Sequence, residues 1–386
     1  MNLLTPRFFI LLLTSLFFQG KVKGQKPDLN PYHVVWTSQS KNASESMPCG
    51  GGDIGLNVWV EKGEILFYLS RAGAFDENNV FPKLGRVRLK FSPNPFDDGE
   101  FRQELKLQQG YVELTGKSKG LSTKVKIWVD VFRPVVHVET ESSQAISVEA
   151  TYENWRFADL EWTNPSQTWA SLGYRDAPFH AIIRADSVQF EGEKVLFYHR
   201  NRDQSLFDLT VTQQGLDSVK NQLWNPLKHL TFGGMMTGDQ MKPAGTTSGT
   251  YADTPYKGWK LKSEAPTRKN HLQVFLHIDT TPTLGEWRSG LSAIEKEAKA
   301  EQKTAAQKTQ SWWGEFWNRS YIAIHSDQPD PNSPEWQVGR NYQLFRYQLG
   351  CNAYGDYPTK FNGGLFTFDP GYVDKNLPFT PDHRTW

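Results

Sequence analysis

The stretch from Asn362 to Phe366 is the first place where residue types suggest a ligand site. Asn362, Gly363 and Gly364 form a run that can turn sharply and that leaves room for a ligand close to the backbone. Phe366 adds an aromatic face at the end of the run. An ordinary helix-exit loop has the same composition, so the run predicts a turn and permits a ligand.

Carboxylates are the groups that could cleave a glycosidic bond, because that reaction needs an acid on one side and a base or nucleophile on the other. The chain has 42 Asp and Glu residues. The closely spaced sets are Asp97 with Asp98, Asp159 with Glu161, and Asp369 with Asp374 and Asp382. None has sequence neighbours that would shift its pKa, and solvated surface is the default for each. No catalytic residue is therefore identified.

Aromatic side chains are abundant, with 14 Trp, 14 Tyr and 24 Phe. The tract 154–174 carries Trp162 and Trp169 among polar residues and has no helical or strand period. Flat aromatic faces suit the C–H faces of sugars, and filling a core is their other common use. Two interpretations stay open for this tract. It caps a pocket and binds sugar through Trp162 and Trp169, or it packs on its own domain.

Charge and cysteine content exclude several classes of protein. The net charge of +1 gives no electrostatic basis for binding nucleic acid or an anionic membrane. There is no CxxC or HExxH motif, and the nine His are scattered singly, so we expect no metal and no cofactor. Cys49 and Cys351 could form a disulfide in an oxidising compartment, but two unpaired buried thiols are favoured.

The N-terminus has the pattern of a secretory signal peptide over residues 1–24. Arg7 precedes an apolar run from Phe8 to Phe18, and Val22-Lys23-Gly24 offers a small-residue cleavage site. The apolar run is too short for a stable membrane anchor. We therefore expect a mature protein that starts near Gln25, is secreted or periplasmic, and has no membrane anchor.

Residues 25–282 predict a large antiparallel β-sandwich. Apolar and polar residues alternate repeatedly, as in Val125–Val131 and Leu272–Ile278, and Lys62-Gly63 predicts a hairpin turn. Frequent strands without helical periods between them indicate two sheets packed face to face. The Gly- and Thr-rich tract 233–259 is predicted to be a structureless insertion.

Helical periods begin after Pro282. Residues 283–320 predict one or two linker helices rich in Ala, Glu, Lys and Gln. After a Pro/Asp/Asn loop, a second helix is predicted from Glu335, and it ends before Pro358. Its predicted buried face consists of Tyr342, Phe345, Leu349 and Ala353.

Two stretches resemble known families. Arg346-Tyr347, Pro358 and the Asn362–Phe366 run resemble the opening of the catalytic domain in six-hairpin glycosidases, above all family 95 α-L-fucosidases. Met47–Gly55 and the tract Phe67–Leu89 resemble a bacterial family known as domain of unknown function 5703. This second resemblance spans most of residues 30–386.

The resemblance implies an architecture and a function. Residues 321–386 would be the incomplete start of a six-hairpin (α/α)6 catalytic domain, with the catalytic residues downstream of Trp386. The implied substrate-binding residues are Asn362, Gly363, Gly364 and Phe366. The chain would be the N-terminal part of an exported, fucosidase-like glycoside hydrolase that acts on polysaccharide or oligosaccharide side chains. Whether this chain is itself an enzyme stays open.

Two alternatives remain beside this expectation. One is a non-catalytic carbohydrate-binding or structural β-sandwich protein, and the other is a polysaccharide lyase with the same sandwich-plus-helices plan. All three readings predict a carbohydrate partner.

Overall fold

The computed structural model describes residues 28–162, 181–320, 322, 330–357 and 364–369, with the backbone alone at Trp162. The described chain is mainly antiparallel β. The strands are β1 (Val34–Trp36), β2 (Met47–Gly51), β3 (Ile54–Glu61), β4 (Glu64–Arg71), β5 (Gly85–Ser92), β6 (Glu100–Lys106), β7 (Tyr111–Ser118), β8 (Leu121–Val129), β9 (Val135–Asn154), β10 (Leu160–Trp162), β11 (Ala181–Ile183), β12 (Ser187–Glu191), β13 (Lys194–Arg200), β14 (Leu230–Gly238), β15 (Met241–Tyr251), β16 (Thr254–Ser263) and β17 (Thr267–Thr280).

Within the described ranges, three α-helices accompany the strands: α1 (Leu206–Gln213), α2 (Leu284–Arg319) and α3 (Pro334–Gly350). Short 3-10 helices occupy Asn30–Tyr32, Ala43–Glu45, Asp217–Gln222 and Gly364–Phe366. The last of these is called the C-terminal turn below. Among the described residues, no helix has the length and hydropathy needed to cross a membrane.

Fifteen strands form two sheets that share β9. Sheet 1 has the order β1-β6-β7-β8-β9-β17-β14-β13-β12, and sheet 2 has the order β2-β3-β4-β5-β9-β16-β15. The first half of β9 pairs with β8 and β17, whereas its second half pairs with β5 and β16. Strands β10 and β11 form a separate hairpin. The predicted antiparallel β-sandwich is confirmed.

Alternation along the strands explains the core between the sheets. In β3, Leu56, Val58 and Val60 are fully buried in the main hydrophobic core. The predicted hairpin turn is present, because Lys62 and Gly63 have φ values of 51° and 76° and Glu61 pairs with Glu64. These left-handed residues give the tight two-residue connection that the twist of antiparallel strands favours.

The two sheets face each other near β2 and β8. The thiol of Cys49 lies 3.4 Å from the carbonyl oxygen of Ile127 on the opposite sheet. Both Cys49 and Cys351 are buried and unpaired. Burial raises the pKa of Cys49 to about 12, so this thiol stays protonated and serves as a small core side chain.

Helix α2 is one continuous helix of 36 residues. Its N-cap Thr283 and Glu286 form a reciprocal capping box. The first half packs Trp287 and Leu291 on outward residues of sheet 1. The second half reaches the β6–β7 turn, where the Trp317 ring N–H donates to the Leu107 carbonyl at 2.8 Å.

Two local predictions were wrong. Residues 233–259 are not structureless, because they lie in β14, β15 and β16, which pair with each other or with β9 and β17. On α3, the predicted buried residues Phe345 and Leu349 are 57% and 44% exposed, whereas Tyr347 is fully buried. Partners distant in sequence decide both outcomes: strand pairing orders the Gly- and Thr-rich tract, and the contacts described below select the buried face of α3.

Candidate functional site

The C-terminal end of α3 packs against the glycine-rich hairpin formed by the end of β2 and its turn into β3. The Gly50 N–H donates a 3.4 Å hydrogen bond to the Tyr347 hydroxyl, and a Cβ on Gly50 would lie 2.9 Å from the Cβ of Cys351. Just beyond the helix, the Tyr354 N–H donates to the Gly52 carbonyl at 2.9 Å. The absence of a side chain at Gly50 is therefore what lets the helix end approach this closely.

The C-terminal turn lies on the next residues of β3. A Cβ on Gly55 would lie 2.5 Å from the Cβ of Leu365. The Asn57 amide donates to the Phe366 carbonyl at 2.8 Å, and the Lys83 ammonium donates to the Leu365 carbonyl at 2.9 Å. The sequence motif that begins at Met47 and the C-terminal stretch therefore meet in space.

The place where β3, the β4–β5 loop (residues 72–84) and the C-terminal turn meet is called the junction below. Lys83 is its unusual titratable group. Its Nζ also contacts the Asn57 side-chain oxygen at 3.1 Å. Burial lowers the pKa of Lys83 to about 7, although the charge of Asp369 opposes this effect. Near neutral pH the amine therefore exists in both its charged and neutral forms, and the neutral form can accept a proton.

A row of polar residues crosses the outward face of sheet 2 from this junction. Asn57 pairs with Tyr68, Tyr68 with Arg86, and Arg86 with Glu153 on adjacent strands. All four are at most 3% exposed. The Tyr251 ring at the tip of the β15–β16 hairpin lies 4.0 Å from the Arg86 guanidinium and covers part of the row.

Asp369, the last residue of the described C-terminal segment, contacts this row at its second member, Tyr68. The Tyr68 hydroxyl lies 2.5 Å from a carboxylate oxygen of Asp369. Burial and the charge of Asp369 raise the pKa of Tyr68, so the phenol stays protonated and donates a hydrogen bond to the carboxylate. The half-buried Trp155 packs edge-on to Tyr68 at 5.9 Å. A carboxylate, a phenol and an indole face therefore lie together.

The β4–β5 loop (residues 72–84), which carries Lys83, is held by a buried charged network. His199 contacts Glu77 at 2.7 Å and Asp186 at 3.0 Å. Arg156 contacts Asp186 at 2.6 Å and donates to the Lys83 carbonyl at 2.6 Å. Burial opposes protonation of His199, but its hydrogen bonds to Asp186 and Glu77 outweigh burial and raise its pKa to about 9.

The same loop contacts the hairpin that carries Trp162. The Asn78 amide donates to the Ile182 carbonyl on β11 at 2.9 Å. Ile182 follows Ala181, the residue that pairs with Trp162. One side of the β4–β5 loop therefore holds the Trp-bearing hairpin, and its other side holds the C-terminal turn.

The predicted substrate-binding residues divide into two groups. Gly364 and Phe366 are buried in the C-terminal turn, with Phe366 8% exposed, so they pack on β3 in this arrangement. Asn362, Gly363 and Trp169 lie outside the described residues, as does the Trp162 side chain. Their role in substrate binding stays a prediction.

The sequence did not reveal Asn57, Tyr68 and Lys83 as parts of the junction. Asn57 and Tyr68 occupy outward strand positions, where polar side chains normally face solvent and attract no notice. Lys83 follows Pro82 in a loop and has no spacing signal. Asp369 was predicted to lie on the solvated surface, yet it accepts a hydrogen bond from the Tyr68 hydroxyl.

A metal site can be examined over the same parts of the chain. Within residues 28–162 and 181–320 and the shorter described segments, no group of three or more His, Cys, Asp or Glu side chains is placed to hold a metal ion. The chemistry that this part of the chain offers consists of carboxylate, amine, phenol and aromatic groups.

Comparison with known proteins identifies the family. A model described as domain of unknown function (DUF5703), N-terminal part, matches residues 35–322. The chain belongs to the DUF5703 family. The match covers the sandwich and α2 of this DUF5703 protein and ends before α3. A search of curated proteins found no match.

Two solved structures are similar to this DUF5703 chain in backbone. One is titled "Putative kojibiose phosphorylase from human microbiome", with 13% identity, a TM-score of 0.48, and coverage of 89% of this chain and 45% of that one. The other is a bacterial glucoamylase complexed with acarbose, with 8% identity, a TM-score of 0.32, and coverage of 82% and 43%. The chain spans less than half the length of either structure.

Proposed function

We propose that this DUF5703 chain belongs to a carbohydrate-active protein and carries part of its sugar-binding site. The specific proposal is an exported glycoside hydrolase that acts on oligosaccharide or polysaccharide side chains in the manner of the family 95 α-L-fucosidases that its C-terminal stretch resembles. The proposed site is the junction where β3, the β4–β5 loop and the C-terminal turn meet.

The observation that supports the proposal is the position of Asp369. Its carboxylate accepts a hydrogen bond from the Tyr68 hydroxyl at 2.5 Å, and Tyr68 pairs with Asn57, whose side-chain oxygen contacts Lys83. Trp155 provides an aromatic face beside Tyr68. A carboxylate binds sugar hydroxyls and an indole packs on the sugar ring, so Asp369 and Trp155, which both contact Tyr68, suit a carbohydrate.

The test measures binding and turnover on the same protein. Fucosides, galactosides and pectic oligosaccharides are titrated by calorimetry and assayed for released sugar. We expect at least one to bind, and we expect Asp369→Asn to weaken that binding at least tenfold with little change in melting temperature. Asp98→Asn, at an exposed carboxylate, is the matched control.

The outcomes separate the proposal from its alternative. Because the resemblance places the catalytic residues downstream of Trp386, the hydrolase proposal expects this chain to bind sugar without releasing it and a protein that continues through the helical barrel to release it. Binding without release by either protein favours the non-catalytic carbohydrate-binding protein. Binding that neither Asp369→Asn nor Trp155→Ala weakens would place the sugar elsewhere and overturn the proposed site.

A further inference from the structure

A groove of about 630 Å³ lies away from the junction, between the β8–β9 connection (residues 130–134) and helix α2. One wall carries Phe132 and Arg133, and the other carries residues of α2 from Gln307 to Glu315. Its volume is within the range of small-molecule sites in proteins. The proposed function uses none of these residues.

The aromatic wall is held rigidly although it is exposed. The Phe132 side chain is 51% exposed, yet its N–H donates to the Asp130 carboxylate at 2.9 Å. The preceding residue, Val131, donates its N–H to the Thr309 hydroxyl of α2 at 3.3 Å. The backbone at Phe132 and at the residue before it is therefore held by hydrogen bonds, and the ring presents an apolar face to solvent.

A second exposed ring extends this face. The Tyr354 ring lies 6.2 Å from the Phe132 ring, at 37°, and is 55% exposed. Its hydroxyl accepts a hydrogen bond from the Trp312 ring N–H at 2.8 Å, and its N–H is bound to the Gly52 carbonyl. Hydrogen bonds within the protein therefore hold the backbone of Phe132 and both ends of Tyr354 in place before a ligand binds.

The opposite wall offers hydrogen-bonding groups at regular intervals. Gln307, Ser311 and Glu315 line the groove and are spaced four residues apart, so they lie on one face of α2. The distance along the helix from Gln307 to Glu315 is about 12 Å at the standard rise per residue. An amide, a hydroxyl and a carboxylate over that length suit successive hydroxyl groups of a short oligosaccharide.

The charges of the groove favour a neutral ligand. Lys308 is paired with Glu301, and Arg133 is paired with Asp130 at 3.4 Å and with Glu301 at 3.8 Å. Because both cations already have carboxylate partners, an anionic ligand would have to compete with them. A neutral ligand rich in hydroxyl groups needs no such exchange.

We propose that this groove is a second carbohydrate-binding site, which holds a short neutral oligosaccharide with its ring faces on Phe132 and Tyr354 and its hydroxyls on α2. The argument does not depend on the proposed junction site. A second site of this kind would anchor the protein on a glycan while the junction engages another part of it.

The experiment screens the full chain on an array of immobilised neutral and uronate-containing oligosaccharides and then titrates the best neutral ligand by calorimetry. We expect Phe132→Ala to weaken binding at least tenfold and Phe132→Tyr to retain it. The control is Trp224→Ala, which removes a 79% exposed aromatic side chain that is not part of the groove lining. Melting temperatures should be unchanged in all three variants.

Each result decides the proposal. Loss of binding in Phe132→Ala alone supports it, including when Asp369→Asn has no effect, which would count against the junction site only. The proposal is overturned if no neutral oligosaccharide binds, if uronate-containing ligands bind more tightly than neutral ones, or if Phe132→Ala binds as well as the unmodified chain.

Discussion

His199 shows how individual residues position the junction. It stacks on Phe232, with ring centroids 5.0 Å apart, and lies between Glu77 and Asp186. The charge of His199, together with that of Arg156, lowers the pKa of Asp186 against the effect of burial. The network therefore keeps the β4–β5 loop, and Lys83 with it, in one place.

The first prediction concerns the pH dependence of this network. The pKa of His199 is raised from 6.5 to about 9, so its stabilising proton is fully retained below pH 6.5 and is lost as the pH rises through 9. Compared with His199→Gln, the unmodified chain should lose about 3 kcal/mol of unfolding free energy over that range. Denaturant titrations at each pH measure this difference.

The titration of Lys83 is the reason for comparing the unmodified chain with His199→Gln at each pH. Its pKa is lowered from 10.5 to about 7, so its contribution to stability changes in the opposite direction over an overlapping range. Because both proteins contain Lys83, its contribution cancels in the difference between their unfolding free energies. A difference that is constant from pH 6.5 to 9 would show that His199 is not held protonated.

The second prediction tests the close approach at Gly55. An added methyl group would overlap Leu365, so Gly55→Ala should destabilise the protein by about 1–3 kcal/mol and should expose the C-terminal segment to protease. Gly314→Ala is the matched control, because nothing lies within 4 Å of its added Cβ and it is in helix α2. That change should stabilise by up to about 1 kcal/mol. Equal effects would contradict the close contact.

At the scale of elements, α3 has two faces with different roles. Tyr347 stacks on Trp313 with centroids 4.9 Å apart, and Gly350 lies against the same indole, since a Cβ there would be 2.9 Å from the Trp313 ring. Phe345 and Leu349 face outward. The small and flat residues therefore join α3 to α2, and a stripe of larger apolar residues is left on the surface.

The third prediction follows from these two faces. Tyr347→Ala should cost about 3–5 kcal/mol, because it removes a fully buried ring from the contact with Trp313 and Gly50. Phe345→Ala should change stability by about 0.5 kcal/mol or less. Thermal unfolding of the two variants measures the contrast. A larger loss for Phe345→Ala would mean that Phe345, and not Tyr347, lies on the buried face of α3.

At the scale of the whole molecule, β9 joins the two sheets and α2 joins the sandwich to α3. Strand β9 has 20 residues and pairs with four different strands. Helix α2 covers sheet 1 with Trp287 and reaches α3 through Trp313. The sandwich and α3 are therefore linked by packing as well as by the chain.

The fourth prediction concerns export of the molecule. Arg7 and the apolar run Phe8–Phe18 support the proposal that residues 1–24 are removed during secretion. Protein recovered from the periplasm or medium should begin within a few residues of Gln25 when its N-terminus is sequenced. An intact Met1 on exported protein would contradict the proposal.

The sequence by itself determined the repeated strands, the Lys62-Gly63 hairpin and the start of α2 after Pro282. Each of these depends on local alternation, turn chemistry or capping, which neighbouring residues specify. The family resemblance also singled out the two stretches that meet in the structure, Met47–Gly55 and the C-terminal stretch. It could not show that they touch.

Only the tertiary structure decided which polar residues form the candidate site. In the sequence, Asn57 and Tyr68 have the pattern of ordinary outward strand positions. Only the structure shows that the C-terminal segment covers them. The composition of residues 233–259 predicts a loop, but β9 and β17 supply hydrogen-bonding partners that make them strands. The buried face of α3 was likewise set by Gly50 and Trp313, because burial depends on which surfaces meet, and distant segments bring those surfaces together.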